Sequence, residues 1–331
     1  MRRRLALLPA ALTALAALAA GCGSTTGQDR PGGEATLLLD FTPNAVHAGL
    51  YLATERTYDE SEGVELEIRK PGASTDALRL LQAGRADMAI LDIHDLGLAR
   101  ERGRDIVGVM AFVQRPLAAV LAQPSIRSPA ALEGERAGVT GLPSDEAVLR
   151  SVVAGDGGDP EKVRLTTIGF QAVKALLADR VAAATAFWNV EGVALRARRP
   201  GMREFRVDDF GAPPYPELVL CVTRTTLEDD EPLIRATIRA LQRGYGETQR
   251  DPESAVAAML AAEPRLDQAT LAAQLDAVDE AFGAGARAYG ELRPAVLRAW
   301  ARWDRRFGIL SGPLDIERAF DFSLVGPVSN P

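Results

Sequence analysis

The stretch Asp40-Phe41-Thr42-Pro43-Asn44-Ala45-Val46-His47-Ala48-Gly49-Leu50-Tyr51 decides how the rest of the chain is read. It joins a run of strand composition at residues 35–40 to a segment of helical period over about residues 46–57. In open α/β sheets ligands sit outside the carboxyl ends of strands, so the residues of this junction are candidates for solute contact. Asn44 and His47 also admit a plainer reading, in which they cap and brace the helix.

Downstream of this junction, short apolar runs keep alternating with helical segments, the βαβ pattern of a mostly parallel sheet. Strands are expected at residues 64–69, 87–91 and 106–112, with a helix capped by Ser74 or Thr75 and another over 95–102. A second series follows a first crossing at Gln114-Arg115-Pro116. Its strands are expected at 117–122, 136–139, 163–168 and 181–187, with a helix capped by Ser144 that runs to about Ala154. Phe170, Val173, Leu176 and Leu177 should share the inner face of its second helix. Pro213-Pro214-Tyr215-Pro216 reads as a second crossing, after which a strand at 217–223 returns to the first half. The segment 80–86 recurs loosely as 176–182, Leu80 matching Leu176, which suits two halves built alike. Beyond Pro232 the pattern is helical, and Trp300 and Trp303, three apart, read as packing residues.

Before the fold begins, Arg2 to Arg4 precede an apolar run over residues 5–20, which is an export signal too short for the roughly 20 residues of a membrane span. Leu18-Ala19-Ala20-Gly21-Cys22 resembles a bacterial lipobox, with Leu18 four residues before the cysteine rather than the usual three. A signal peptide at 1–21, a lipid on Cys22 and a polar tether over 22–34 are expected, and a plain secretory signal is the other reading. The expected location is the outer face of the cytoplasmic membrane, attached through the lipid alone. Removing residues 1–21 takes away three arginines, so the formal net charge of -7 becomes more negative still, which disfavours nucleic acid as a partner. Cys221 sits in an apolar run with no second thiol to pair with once Cys22 is lipidated, and reads as a small buried hydrophobe.

Signatures of catalysis are missing. No Walker-type loop, H-E-x-x-H, G-x-S-x-G or paired C-x-x-C occurs, and two histidines in 331 residues argue against a metal site. No enzyme activity, cofactor or metal is expected. Asp92-Ile93-His94-Asp95 follows the third strand; its acids either raise the His94 pKa beside a polar ligand group, or Asp95 caps the next helix. Ser144 stands where free helix N–H groups can hold a carbonyl or anion, although a simple N-cap explains it as well.

On the Asp40–His47 segment, and on Leu81-Gln82-Ala83-Gly84-Arg85-Ala86-Asp87 and Phe187-Trp188-Asn189-Val190-Glu191-Gly192, the chain resembles the NMT1/THI5-like family of periplasmic binding proteins from about Ala35 to Thr248. The resemblance implies an α/β chain with the type II periplasmic-binding-protein fold: two α/β lobes, two crossings and a helical C-terminal region. Lobe 1 would comprise 35–113 and 217–331, and lobe 2 would comprise 114–216. It implies a monomer that hands a thiamine-precursor-like aminopyrimidine to the permease of an ABC transporter. Phe41, where the family has Trp, and Trp188 would stack on the two faces of the ring, and Glu191 would accept from its exocyclic amine. Phe41 as plain core is the alternative. Asn44, His47, Asp92, His94 and Ser144 complete the expected site.

Relatives of similar architecture carry riboflavin-like solutes, alkanesulfonates or nitrate, and a sulfonate reader should show an arginine-lined cleft. A eukaryotic branch makes the pyrimidine itself with a pyridoxal-bearing lysine and a cysteine cluster. Here Leu91 or Asp92 stands where that lysine would fall and the cysteine cluster is absent, so the synthase reading is disfavoured.

Overall fold

The computed structural model describes residues 33–72 and 76–326; the expected signal, Cys22, the tether up to residue 32 and the Ser74 or Thr75 cap lie outside them. Among the described residues no helix is long and apolar enough to cross a membrane.

The first sheet holds β1 (Gly33–Leu38), β2 (Val64–Arg69), β3 (Met88–Asp92) and β4 (Ile106–Ala111), joined by α1 (Ala48–Glu55), α2 (Tyr58–Ser61), α3 (Asp76–Gln82) and α4 (Ile93–Glu101). The second holds β5 (Ala118–Ala122), β6 (Arg136–Val139), β7 (Arg164–Thr167), β8 (Ala183–Phe187) and β9 (Arg203–Arg206), with α5 (Pro143–Gly155), α6 (Ala172–Leu177) and α7 (Val193–Arg198). β10 (Leu218–Thr223) then rejoins the first sheet, and α8 (Arg224–Asp229), α9 (Glu231–Arg250), α10 (Pro252–Ala262), α11 (Gln268–Gly283), α12 (Pro294–Arg306) and α13 (Ile316–Ala319) follow.

Strand order is β2-β1-β3-β10-β4 in one sheet and β7-β6-β8-β5-β9 in the other. Within each five-stranded sheet, four strands run in one direction and one inserted strand runs antiparallel to both its neighbours: β10 between β3 and β4, and β5 between β8 and β9. The inserted strand is in both cases the one that has just arrived from the other lobe. Central strands such as β5 and β10 are apolar because both faces are covered, as is β4 at an edge, whereas the edge strand β7 is mostly exposed. β9 was not legible in the sequence. Its Arg203-Glu204-Phe205-Arg206 offers one buried side chain, Phe205, and is held by its pairing with β5.

The internal repeat is real but shifted by one residue from the sequence alignment. Gly84 donates to Leu81 and Arg85 to Leu80, while Asp179 donates to Leu176 and Arg180 to Ala175, the same paired closure of a helix end. Gly84 (φ +64°) and Asp179 (φ +52°) occupy the left-handed position, so Leu81, not Leu80, matches Leu176. Aspartate tolerates that conformation better than most residues, which hid the correspondence.

The helix of the decisive junction docks on α9 with no side chain between the two backbones. A Cβ at Gly244 would lie 2.1 Å from the Gly49 carbonyl oxygen. Tyr245 then reaches past this contact, its hydroxyl donating to the Val46 carbonyl at 2.7 Å. Gly244→Ala should therefore destabilise the fold by about 1–3 kcal/mol, despite its better helix propensity, because the helices must separate. The urea midpoint reads this, and an unchanged midpoint would mean that the two helices do not approach so closely.

Candidate functional site

Carboxyl ends of the parallel strands in both sheets converge on one cavity of about 130 Å³. Lobe 1 contributes Asp40 and Phe41 beyond β1 and Leu91 and Asp92 at the end of β3, and lobe 2 contributes Thr140 and Ser144 beyond β6, Phe170 beyond β7, Phe187 at the end of β8 and Glu191 just past it. Phe41 and Phe170 meet from opposite lobes with ring centroids 5.7 Å apart at 40°. Phe170, 57% exposed, stands ahead of α6 and belongs to the cavity rim; the expectation that it shares a buried helix face is corrected. The exposure of so large an apolar ring reflects its position over an open cleft.

The cavity wall is acidic. Asp40, Asp92, Asp95, Asp145 and Glu191 line it, and no Arg, Lys or His is among the described residues that do. Burial pushes the Glu191 carboxyl above the usual carboxylate range; Asp145 adds to the rise, and the hydrogen bond from the Phe187 amide (3.2 Å) opposes it. Thr185 Oγ1, also on the wall, is buried without a hydrogen-bond partner. A guest that brings N–H donors satisfies several of these groups at once.

His47 and Asn44 support this wall rather than form it. The Asn44 amide donates to His47 Nδ1 at 3.2 Å, which leaves the proton on Nε2, and Nε2 lies 2.8 Å from Asp40 Oδ1. Asn44 in turn caps the first turn through its side chain, which accepts from the Val46 amide. The bracing reading therefore describes both residues, and the group they aim into the cavity is Asp40. Sequence reasoning quoted Asp40 but did not place it in the site; its position at the end of a parallel strand was the available signal.

Four further corrections follow. Trp188 is 1% exposed and does not line the cavity. Its indole donates to the Pro116 carbonyl at 2.9 Å and carries the Arg206 guanidinium over its face at 3.9 Å, so both its hydrogen bond and its π-surface are engaged inside the protein. His94 is 2% exposed and lies behind Asp92, with Nδ1 2.9 Å from Asp304 Oδ2 and Nε2 3.3 Å from the Tyr215 hydroxyl. Burial pulls the His94 pKa down, but Asp304, Asp92 and Glu217 outweigh it and push it up to about 10. The cap of α4 is Asp92, which accepts from the His94 amide at 2.8 Å, and not Asp95. Ser144 is not an N-cap: α5 starts at Pro143 after Leu142, and Ser144 faces the cavity from the first turn.

Phe41, Asp92, Ser144 and Glu191 are thus brought together at the cavity, whereas Asn44, His47, His94 and Trp188 are held behind its wall. Behind it, too, the two lobes are fastened. Glu217 Oε2, on the second crossing, accepts from the Leu117 and Ala118 amides at 2.7 and 3.0 Å where the first crossing enters β5.

Comparison with known proteins gives a consistent setting. A formylaminopyrimidine-binding protein of Halalkalibacterium halodurans is 33% identical over 245 residues, 73% of this chain and 74% of that protein. The riboflavin-binding protein RibY of Chloroflexus aurantiacus is 25% identical over 306 residues, 87% of this chain and 84% of that one. Among solved structures, the periplasmic aliphatic sulphonate binding protein SsuA of Escherichia coli superposes with a TM-score of 0.69 at 16% identity, over 86% of this chain and 96% of its own. That likeness establishes the type II periplasmic-binding-protein fold. Residues 44–255 match the NMT1/THI5-like family, and the chain belongs to it.

Proposed function

We propose that the chain is the extracytoplasmic substrate-binding lipoprotein of an ABC importer, anchored through Cys22, and that it takes an aminopyrimidine of the thiamine-precursor type between its lobes without transforming it. The observation that carries this reading is the cavity wall of five acids and no cations, closed by two phenyl rings from opposite lobes. A flat heteroaromatic gains from offset stacking on Phe41 and Phe170, about 0.5–1.5 kcal/mol per ring, while Asp40, Asp92 and Glu191 accept from its amine and ring N–H groups. An alkanesulfonate or nitrate would bring a negative charge into this wall, so those solutes are disfavoured despite the shared fold.

A riboflavin-type solute is the second reading, favoured by the likeness to RibY along most of the chain. The cavity of about 130 Å³ favours one ring over three fused ones, being smaller than the roughly 300–1,000 Å³ pockets that hold drug-sized ligands. The acidic, histidine-poor wall also lacks an activated nucleophile, which supports transport over synthesis.

Calorimetry of the mature protein with formylaminopyrimidine, hydroxymethylaminopyrimidine, riboflavin and taurine tests the choice; binding of taurine alone would overturn it. Phe41→Ala and Phe170→Ala should each weaken aminopyrimidine binding by about 3- to 10-fold, and Glu191→Gln by about 10- to 100-fold. Trp188→Phe should leave the affinity within about two-fold but lower stability by about 1–3 kcal/mol, since the Pro116 carbonyl loses its donor. The reverse pattern, with affinity lost and stability kept, would return the indole to the site.

The raised Glu191 pKa sets a pH dependence. Solute affinity should fall as pH drops through that pKa, at a higher pH than the roughly 4.3 of an ordinary glutamate would give. Apo stability should move oppositely: the folded form holds this proton more tightly than the unfolded one, so stability is lost as pH rises from the unfolded pKa through the folded one. Glu191→Gln should flatten both trends, and pH profiles of affinity and unfolding midpoint that remain unchanged in the variant would remove Glu191 from this role.

A further inference from the structure

Behind the cavity wall, one imidazole faces three carboxylates in a dry interior. Asp304 and Glu217 are 0% and 1% exposed, and Asp92 bridges from this cluster to the cavity. His94 is the one basic side chain that bears on all three, because no Arg or Lys pairs with Asp92, Glu217 or Asp304 among the described residues. Three acids and one imidazole are thus gathered out of solvent, with no lysine or arginine among them in the described residues.

The donors of this cluster are spaced as the ligands of a cation are. One ligand atom each from Asp92, His94 and Glu217 lies within 4.8 Å of the others, and His94 Nε2 is 3.7 Å from Glu217 Oε1, close to the spacing of neighbouring ligands around a small cation. Asp304 Oδ2 accepts from His94 Nδ1 at 2.9 Å, which orients the ring and leaves Nε2 facing Glu217 Oε1 at 3.7 Å and the Tyr215 hydroxyl at 3.3 Å, a contact that a cation on Nε2 would displace. This carboxylate behind a histidine is the usual outer support of a metal-bound imidazole. Glu217 Oε1 is available because Oε2 already holds the Leu117 and Ala118 amides. The remaining Asp304 oxygen, Oδ1, is buried with no partner, so the cluster holds unused acceptor capacity.

We propose that Asp92, His94 Nε2 and Glu217 Oε1 form a binding site for a divalent transition-metal cation, oriented by Asp304 and open on the Asp92 side to the solute cavity. The cation takes the place of the Nε2 proton. The low histidine count, which spoke against a metal in the sequence, is offset by carboxylates drawn from β3 and the second crossing. Its open position would face the guest, so the site adds a ligand for a ring nitrogen or oxygen to a wall that otherwise offers acids.

Titration of the purified metal-free protein with Co²⁺, followed by visible absorption, and with Zn²⁺ by calorimetry tests this without any solute, so its outcome is separate from that of solute binding. One equivalent of each should bind. Glu217→Gln and Asp92→Asn should each weaken binding at least ten-fold, and Asp304→Asn about 10- to 100-fold through misorientation of the imidazole. Asp92 lies at the cavity wall, so Asp92→Asn keeps the test valid if the buried Glu217→Gln variant does not fold. Absence of saturable binding at millimolar metal, or binding equally strong in Asp92→Asn, would overturn the proposal and leave His94 as the centre of an all-protein ion cluster.

Discussion

The Glu217 carboxylate, gripping the Leu117 and Ala118 amides, is the contact on which the two-lobed arrangement depends. It joins the second crossing to the start of β5 at the point where the first crossing ends, so both connections are held in one place. Each bond is charge-assisted and buried, worth about 1.5–3 kcal/mol, and its loss would strand two amides away from water. The Glu217 carbonyl also accepts from the Ile93 amide, which ties the same residue to the head of α4. Trp188 completes the fastening from the other lobe. Its backbone and indole nitrogens donate to Leu117 and Pro116, so a residue at the end of β8 reads the position of the crossing.

That arrangement explains why the cavity lies where it does. Most of its wall comes from the carboxyl ends of parallel strands, and the first residues of the inserted antiparallel strands, Ala118 of β5 and Leu218 of β10, fill the rest just where the crossings enter. Acids on the wall are individually unfavourable to bury, and burial is the first cause of the raised Glu191 and Asp92 pKa values. A site that accepts this cost in the empty protein recovers it when a guest supplies donors, which couples affinity to the chemistry of the solute. Phe41 and Phe170 touch each other across the two lobes, so they close this edge of the cavity and must part for any guest to lie between them.

Much of the fold was readable because its elements announce themselves over a few residues. Runs such as Leu218-Val219-Leu220-Cys221-Val222 can only be central strands, and all but one of the ten strands follow from such runs and their turns. The site was half readable. Phe41, Asp92, Ser144 and Glu191 follow from the rule of strand ends, whereas Phe170 was mistaken for a helix-face residue because periodicity extends past the true start of α6.

What the sequence by itself determined was local: the strand-to-helix junction at Asp40, the alternation of strands and helices, and the family motif with the architecture it implies. Which side chains face the guest was decided only by tertiary structure, because the deciding partners are distant along the chain. Trp188 is claimed by a carbonyl 72 positions upstream and His94 by a carboxylate 210 positions downstream. A side chain's own neighbourhood in sequence carries no record of such partners, and a buried polar atom goes to whichever complementary group the fold brings within hydrogen-bonding distance.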